Sequence, residues 1–434
     1  MEKIIRAGKK WNREIPIPAD KSISHRALLL TSMAEGESLI ENFLLSEDCL
    51  ATEKCLGKLG IRIERTSGTS LKVSGGGLHG FKEPREVLDA GNSGTTMRLL
   101  SGILSGQDFF TVITGDASLS RRPMGRVIEP LRRMGARLDG RDGGRFSPLS
   151  IRGGGLRGIE YSMDIPSAQV KSAILLAALM AEGETILLEK QASRDHTERM
   201  LAAMGGAISC EADLSVSGRR ILIKKGGPLN PAHFLIPGDF SSASFFLAAG
   251  AILPEARLSM PGVGLNPTRT GFLSILREMG GKILVSNMRE AEWEPSGDLL
   301  IESSSLHGID VPSEIVPLLI DEIPILAVAA TQARGLTRIR GARELRLKEC
   351  DRLTAIAGQL QKMGARIEEF PDGLTVEGPV RLKGTRLNSF NDHRIAMALA
   401  IAALVAEGDS LIEDAECTAV SFPGFWEIIG ESHG

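Results

Sequence analysis

The residues best suited to chemistry stand in short clusters, each at the start of an apolar run. Lys21, Ser22, Ser24 and Arg26 form one; Asn92, Ser93, Gly94, Thr95 and Arg98 another; Ser167, Gln169 and Lys171 a third; His393 and Arg394 a fourth. A second set precedes amphipathic stretches: Arg121, Arg122 and Arg126; Ser193 and Arg194; Lys348, Glu349 and Arg352. Helix N-termini already favour anions, through unpaired N–H groups and the macrodipole. Cations recurring at equivalent positions of that kind predict binding of small, highly charged anions. Helix capping by Ser, Thr, Asp and Asn accounts for any one of these residues, but not for the recurrence. Asp321-Glu322, ahead of another apolar run, reads locally as a cap. Asp392 reads the same way, leaving His393 to face substrate.

Other motifs carry less. Gly75-Gly76-Gly77 and Gly153-Gly154-Gly155 lack the Gly-Lys-Ser/Thr of a phosphate loop. Asp392-His393 has no serine at a spacing that argues for a hydrolytic triad. No His, Cys and carboxylate cluster has metal-ligand spacing, so neither metal nor cofactor is expected.

The elements that must position these residues form a repeat. The pattern x-x-(Leu/Met/Ile)-Gly closes six segments, at Gly60, Gly135, Gly205, Gly280, Gly364 and Gly430. Upstream of each, an Ala/Leu-rich run ends in a turn and a strand-like stretch. Gly36, Gly106, Gly183, Gly335 and Gly408 mark the turn, and Pro254 replaces glycine in the fourth copy. Two more strand-like stretches follow most closing glycines. Each unit reads helix, strand, helix, strand, strand, with the closing glycine as a helix stop. The run AILLAALMA is apolar on every side and should be buried all round, whereas EPLRRMGA and SILREMGG should face water on one side. Six units predict two bodies of three. Pro18-Ala19-Asp20 and Pro237-Gly238-Asp239 look alike and read as hinges between them.

Composition narrows the class. The chain has 434 residues, enough for two or three domains. It is 42% apolar and 24% charged, so it should be globular. Its 51 basic and 54 acidic residues give net charge −3, and aromatics make up 4% with one tyrosine. No nucleic-acid partner is expected. Apolar runs such as Ala173 to Ala181 are too short to span a membrane, and residues 1–20 lack the apolar core of a leader. A cytoplasmic location is expected. Five scattered cysteines without a C-x-x-C fit a reducing compartment and buried thiols.

The clusters together resemble one family. Lys21-Ser-Ile-Ser-His-Arg26, Gly91-Asn-Ser-Gly-Thr-Thr-Met-Arg98, Arg122-Pro-Met, Ser167-Ala-Gln169, Lys348-Glu-Cys-Asp-Arg352 and Asn391-Asp-His-Arg394 resemble the 5-enolpyruvylshikimate-3-phosphate synthases over nearly the whole chain. Ser-Ala-Gln and Ser193-Arg-Asp-His-Thr resemble the bacterial class II branch. The resemblance implies an α/β fold: a two-domain inside-out α/β barrel of six β-α-β-α-β-β repeats, three per domain. Domain one would comprise residues 1–18 plus 238–434, and domain two residues 19–237, with the active site in the cleft where the inner helix N-termini converge.

The implied reaction transfers the enolpyruvyl group of phosphoenolpyruvate to the 5-hydroxyl of shikimate 3-phosphate by addition and elimination. It needs a base, an acid, and cations around phosphates and carboxylates, but no metal. Carried across by motif, Asp321, Glu349 and Lys21 are the catalytic residues, and which moves which proton stays open. Shikimate 3-phosphate falls to Lys21, Ser22, Arg26, Ser167, Ala168, Gln169, Ser193, Arg194, Asp321 and Lys348. Phosphoenolpyruvate falls to Lys21, Asn92, Gly94, Arg122, Gln169, Arg352, His393 and Arg394. A monomer binding only these small molecules is expected.

Two positions depart from the family pattern. Val420 stands where many members have lysine, and Glu344 where other branches have asparagine. Gly94 keeps the small residue that implies sensitivity to glyphosate. The rival reading, a UDP-N-acetylglucosamine enolpyruvyl transferase, carries Lys-Asn and a loop cysteine; here Ser22 follows Lys21 and residues 114–125 hold no cysteine. A non-catalytic anion sensor would gain nothing from setting Asp321 and Glu349 among its cations.

Overall fold

The computed structural model describes residues 1–7, 11–213, 218–290 and 293–430. The chain divides into two compact units. Unit one comprises Met1–Pro18, Pro237–Ala291 and Pro295–Gly434; unit two comprises Ala19–Ile236 with Glu292–Glu294.

In unit two the helices are α1 (Lys21–Ser32), α2 (Glu47–Lys58), α3 (Gly94–Ser105), α4 (Gly125–Arg133), the short α5 (Arg141–Gly144), α6 (Ala168–Ala178) and α7 (His196–Ala203). In unit one they are α8 (Phe240–Ile252), α9 (Gly271–Glu278), the short α10 (Val316–Leu319), α11 (Ile323–Gln332), α12 (Arg352–Lys362), α13 (His393–Leu404) and α14 (Phe425–Gly430). The Ala/Leu-rich runs form α1, α3, α6, α8, α11 and α13, which are buried over nearly their whole length; every residue of α13 is buried. Each fully buried Leu or Ile contributes roughly 1.5–3 kcal/mol, so these helices form the centre of each unit's core. The other helices are amphipathic: α4 buries Val127, Ile128, Pro130 and Leu131 and exposes Arg132 and Arg133.

Capping fixes where the inner helices start, and so where the site residues fall. Asp20 accepts from Ile23 N at 2.9 Å, Ser93 from Thr96 N at 3.1 Å, and Asp239 from Ser241 N at 2.8 Å. Asp392 accepts from Arg394 N at 2.9 Å, as its sequence context predicts. Glu322 differs: it precedes α11 but makes no side-chain cap bond. Five closing glycines, Gly60, Gly135, Gly205, Gly280 and Gly364, adopt φ between 78° and 104°, the left-handed stop glycine tolerates best. The two glycine triplets end strands against helix C-termini. A Cβ on Gly75 would lie 2.3 Å from the Thr31 carbonyl oxygen, and one on Gly153 2.3 Å from that of Leu104.

Each repeat contributes a sheet. In unit two the first orders His233–Leu235, Glu35–Glu41, Ser70–Gly76 and Arg62–Ser67, the initial pair parallel and the rest antiparallel. The same order recurs from Leu88–Asp89 and from Glu160–Met163. Some strands come from far away in sequence. Asn12–Glu14 pairs in parallel with Arg257–Gly264, and Lys3–Ile5 pairs antiparallel with Ser410–Glu413. The start of the chain therefore completes two sheets of unit one.

No helix among the described residues is long and apolar enough to cross a membrane. Cys49, Cys55 and Cys417 are buried, and burial pushes the Cys55 and Cys417 thiols up to about 12. Cys210 corrects the expectation of buried thiols: it lies on a strand with its side chain exposed.

Candidate active site

In unit two the site residues gather where α1, α3 and α6 begin. Lys21 opens α1 and forms an ion pair with Asp48 at 3.1 Å. Ser22 Oγ accepts from Arg194 Nη1 at 3.3 Å, tying the loop before α7 to α1. Arg26 is 3% exposed and donates to Thr197 Oγ1 and Ser172 Oγ, each at 2.8 Å, and to the Ser22 carbonyl at 2.9 Å. Those bonds tie α1 to α6 and α7.

Around α3, Arg122 donates to Asn92 Oδ1 at 2.5 Å, and Asn92 donates to Asp116 at 2.6 Å. Gly94 opens this helix; a Cβ there would lie 2.7 Å from Arg98 Nη1 and 3.5 Å from Arg122 Nη1. Arg98 donates to Gln169 Oε1 at 2.6 Å, and Gln169 donates to Thr95 Oγ1 at 2.9 Å, which joins α3 to α6. Ser167 caps α6, with Ala168 and Gln169 in its first turn. Ser193 is turned inward: its N–H and hydroxyl both donate to Glu189, at 2.9 and 2.5 Å.

Unit one gathers the carboxylates. Arg352, 2% exposed at the start of α12, donates to Asp392 at 2.7 Å, Glu349 at 2.6 Å and Asp321 at 3.2 Å. Burial opposes its charge, but those three carboxylates outweigh burial and raise its pKa further. Lys348 lies 3.4 Å from Asp321 and is partly buried; desolvation, with help from Arg352, lowers its pKa below the usual lysine value against the pull of Asp321. Arg394 donates to the Asp321 carbonyl at 3.2 Å, and its guanidinium lies 3.6 Å from both Asp321 Oδ2 and Glu322 Oε1. His393 is buried at the first position of α13. Asp321, Lys348, Glu349, Arg352 and Arg394 thus form one connected ion cluster. At the two departures, Val420 ends a 3₁₀ turn, Ala415–Val420, and Glu344 lies in another, Arg343–Leu347.

Such an arrangement can grip phosphate and carboxylate through guanidinium forks and hold two carboxylates oriented for proton transfer. Among the described residues no group of His, Cys, Asp and Glu could hold a metal ion. Sequence reasoning missed the acidic partners: Asp48 for Lys21, Asp116 behind Asn92, and Asp392, which orients Arg352 as well as capping α13. Glu322, read from the sequence only as a cap, instead accepts from Ser241 Oγ while Ser241 accepts from Arg269 at 2.7 Å. The adjacency of Asp392 to His393-Arg394 was the available signal; Asp48 had none.

The family model for EPSP synthase (3-phosphoshikimate 1-carboxyvinyltransferase) matches residues 5–429. A 3-phosphoshikimate 1-carboxyvinyltransferase of Alkaliphilus metalliredigens is 50% identical over 419 residues, covering 96% of this chain and 97% of its own. Its counterpart in Syntrophomonas wolfei is 50% identical over 430 residues, with 99% of each chain covered. A solved EPSP synthase from Acinetobacter baumannii superimposes with a TM-score of 0.87 at 43% identity, covering 99% of this chain and 98% of that one.

Proposed function

This chain belongs to the EPSP synthase family, and from that membership we propose how its two residue clusters share the family's reaction. The enzyme transfers the enolpyruvyl group of phosphoenolpyruvate to the 5-hydroxyl of shikimate 3-phosphate and releases phosphate, a step of aromatic amino acid biosynthesis. Asp321 accepts the proton of the 5-hydroxyl as its oxygen adds to C2 of the enol. Glu349 delivers a proton to C3 and takes one back when the tetrahedral adduct expels phosphate. Lys21 touches both substrates and steadies charge as it moves.

Ser22 and Arg26 hold the shikimate carboxylate, Arg26 through donors it otherwise shares with Ser22 and Ser172. Ser167, Ala168, Ser193 and Arg194 take the 3-phosphate, Gln169 covers the ring and Lys348 reaches the same substrate. Arg122, Arg352 and Arg394 clamp phosphoenolpyruvate, with Asn92, Gly94, Gln169 and His393 lining its pocket. The chain passes from one unit to the other at Pro18–Ala19 and Ile236–Pro237, with a brief return at Glu292–Glu294, and hinge motion at the first two crossings accompanies binding. Scattering curves identical with and without shikimate 3-phosphate would count against that motion. The enzyme acts as a cytoplasmic monomer.

The observation that supports this division is the bonding of Asp321 and Glu349 to one buried guanidinium, Arg352. An anion-binding surface gains nothing from carboxylates there, because they repel the ligand; proton transfer requires them. The test measures phosphate release with both substrates present and with each omitted in turn. Glu349→Gln should cut turnover by about 10²-fold or more while shikimate 3-phosphate still binds. Weakened binding with unchanged turnover per bound complex would reject the acid–base role.

A further inference from the structure

Lys171 lies on α6, one turn past Ser167, and its side chain has no exposed surface. Its ammonium sits 3.0 Å from Glu189 Oε1 and 2.7 Å from Glu198 Oε1, and donates to the Ser193 carbonyl at 3.3 Å. Glu189 ends the strand Glu184–Glu189, Glu198 lies on α7, and Ser193 lies on the loop that joins them. Burial alone would depress the Lys171 pKa, but the two carboxylates outweigh burial and raise it, so the charge is kept. A hydrocarbon side chain would fill this space without desolvating three charges. What the ion cluster adds is direction: its bonds join α6 to both ends of the Ser193 backbone, the carbonyl through Lys171 and the N–H through Glu189.

We propose that Lys171 is a positioning residue for the 3-phosphate of shikimate 3-phosphate. With Glu189 it fixes the Ser193-Arg194 loop against the N-terminus of α6, so that two segments grip one phosphate as a single frame. This rests on the assignment of Ser167 and Ser193 to that phosphate. It also explains how Ser193 can serve. The hydroxyl now given to Glu189 can rotate toward the phosphate while the backbone stays tied at both ends.

The test compares steady-state kinetics of four variants with the unaltered enzyme. Lys171→Met/Glu198→Gln removes the tie but leaves the cluster with the same net charge, since one ammonium and one carboxylate leave together. It should raise KM for shikimate 3-phosphate about tenfold or more, with KM for phosphoenolpyruvate and kcat within about twofold. Glu189→Gln changes one atom and decides the matter should the double variant not fold; its KM for shikimate 3-phosphate should rise several-fold. Glu198→Gln alone keeps the Lys171–Glu189–Ser193 chain and should stay within about threefold of the unaltered enzyme. An unchanged KM in Glu189→Gln, a parallel rise in both KM values, or a fall in kcat alone would overturn the proposal. Ser193→Ala separates the two failures. If it leaves KM for shikimate 3-phosphate unchanged, the phosphate assignment falls and this proposal with it. If it is defective while the Lys171 and Glu189 variants are normal, the proposal falls alone.

Discussion

At the scale of single residues, two positions make sharp predictions. Gly94 has no side chain because a Cβ would press on Arg98 and approach Arg122. The contact at 2.7 Å is with the end of a flexible side chain, so Gly94→Ala should fold and displace the arginine rather than the helix. Raised KM for phosphoenolpyruvate and a larger rise in the inhibition constant for glyphosate are expected, read by inhibition assays. His25 stands inside the Lys21–Arg26 motif yet faces inward, where Nδ1 meets Thr52 Oγ1 at 2.7 Å. Burial, with Lys21 and Arg26 adding to it, pushes its pKa well below the ordinary 6.5. Below that pH the unfolded chain binds a proton that the folded chain refuses, so stability falls as pH drops. His25→Asn should flatten this loss between pH 7 and about 5, measured by denaturant unfolding; an unchanged slope would mean that His25 is not held neutral. The sequence displayed the cations of the site because they recur at helix starts. It hid Asp48 and Glu189 because pairing across 27 residues, or beneath a loop, leaves no local pattern.

Among the elements, the repeat was legible because glycine stops and all-apolar runs follow from backbone geometry and burial. The approach of the inner helices was not. A Cβ on Gly102 of α3 would lie 2.2 Å from the Ala173 carbonyl oxygen of α6, a contact with backbone that no rotamer change relieves. Gly102→Ala should therefore push α3 from α6 and cost about 1–3 kcal/mol, read from denaturant midpoints. Because Gln169 bridges these helices to Thr95 and Arg98, substrate KM values should rise with it. Wild-type stability in this variant would show that the helices are not so close. The strands Lys3–Ile5 and Asn12–Glu14 were equally hidden, since three residues are too few to show an alternating period.

For the whole molecule, each unit has its own apolar core, and the chain passes between them at few points. Residues 19–236 expressed alone should then give a cooperative, helix-containing thermal transition, weakened by the loss of Glu294, which pairs with buried His196 at 3.2 Å. A featureless melt would show that this half depends on its partner. The sequence pointed to hinges near Pro18 and Pro237, and the family resemblance grouped residues 1–18 with 238–434, but no local pattern showed which strands these first residues lend to which sheets. That loan bears on biosynthesis. Unit two has nearly all its strands once residue 236 has left the ribosome, whereas Lys3–Ile5 must wait for Ser410–Glu413 to be made. Lys3–Ile5 is thus among the last strands to find its partner, and a nascent chain carries it unpaired while all of unit two and most of unit one are made.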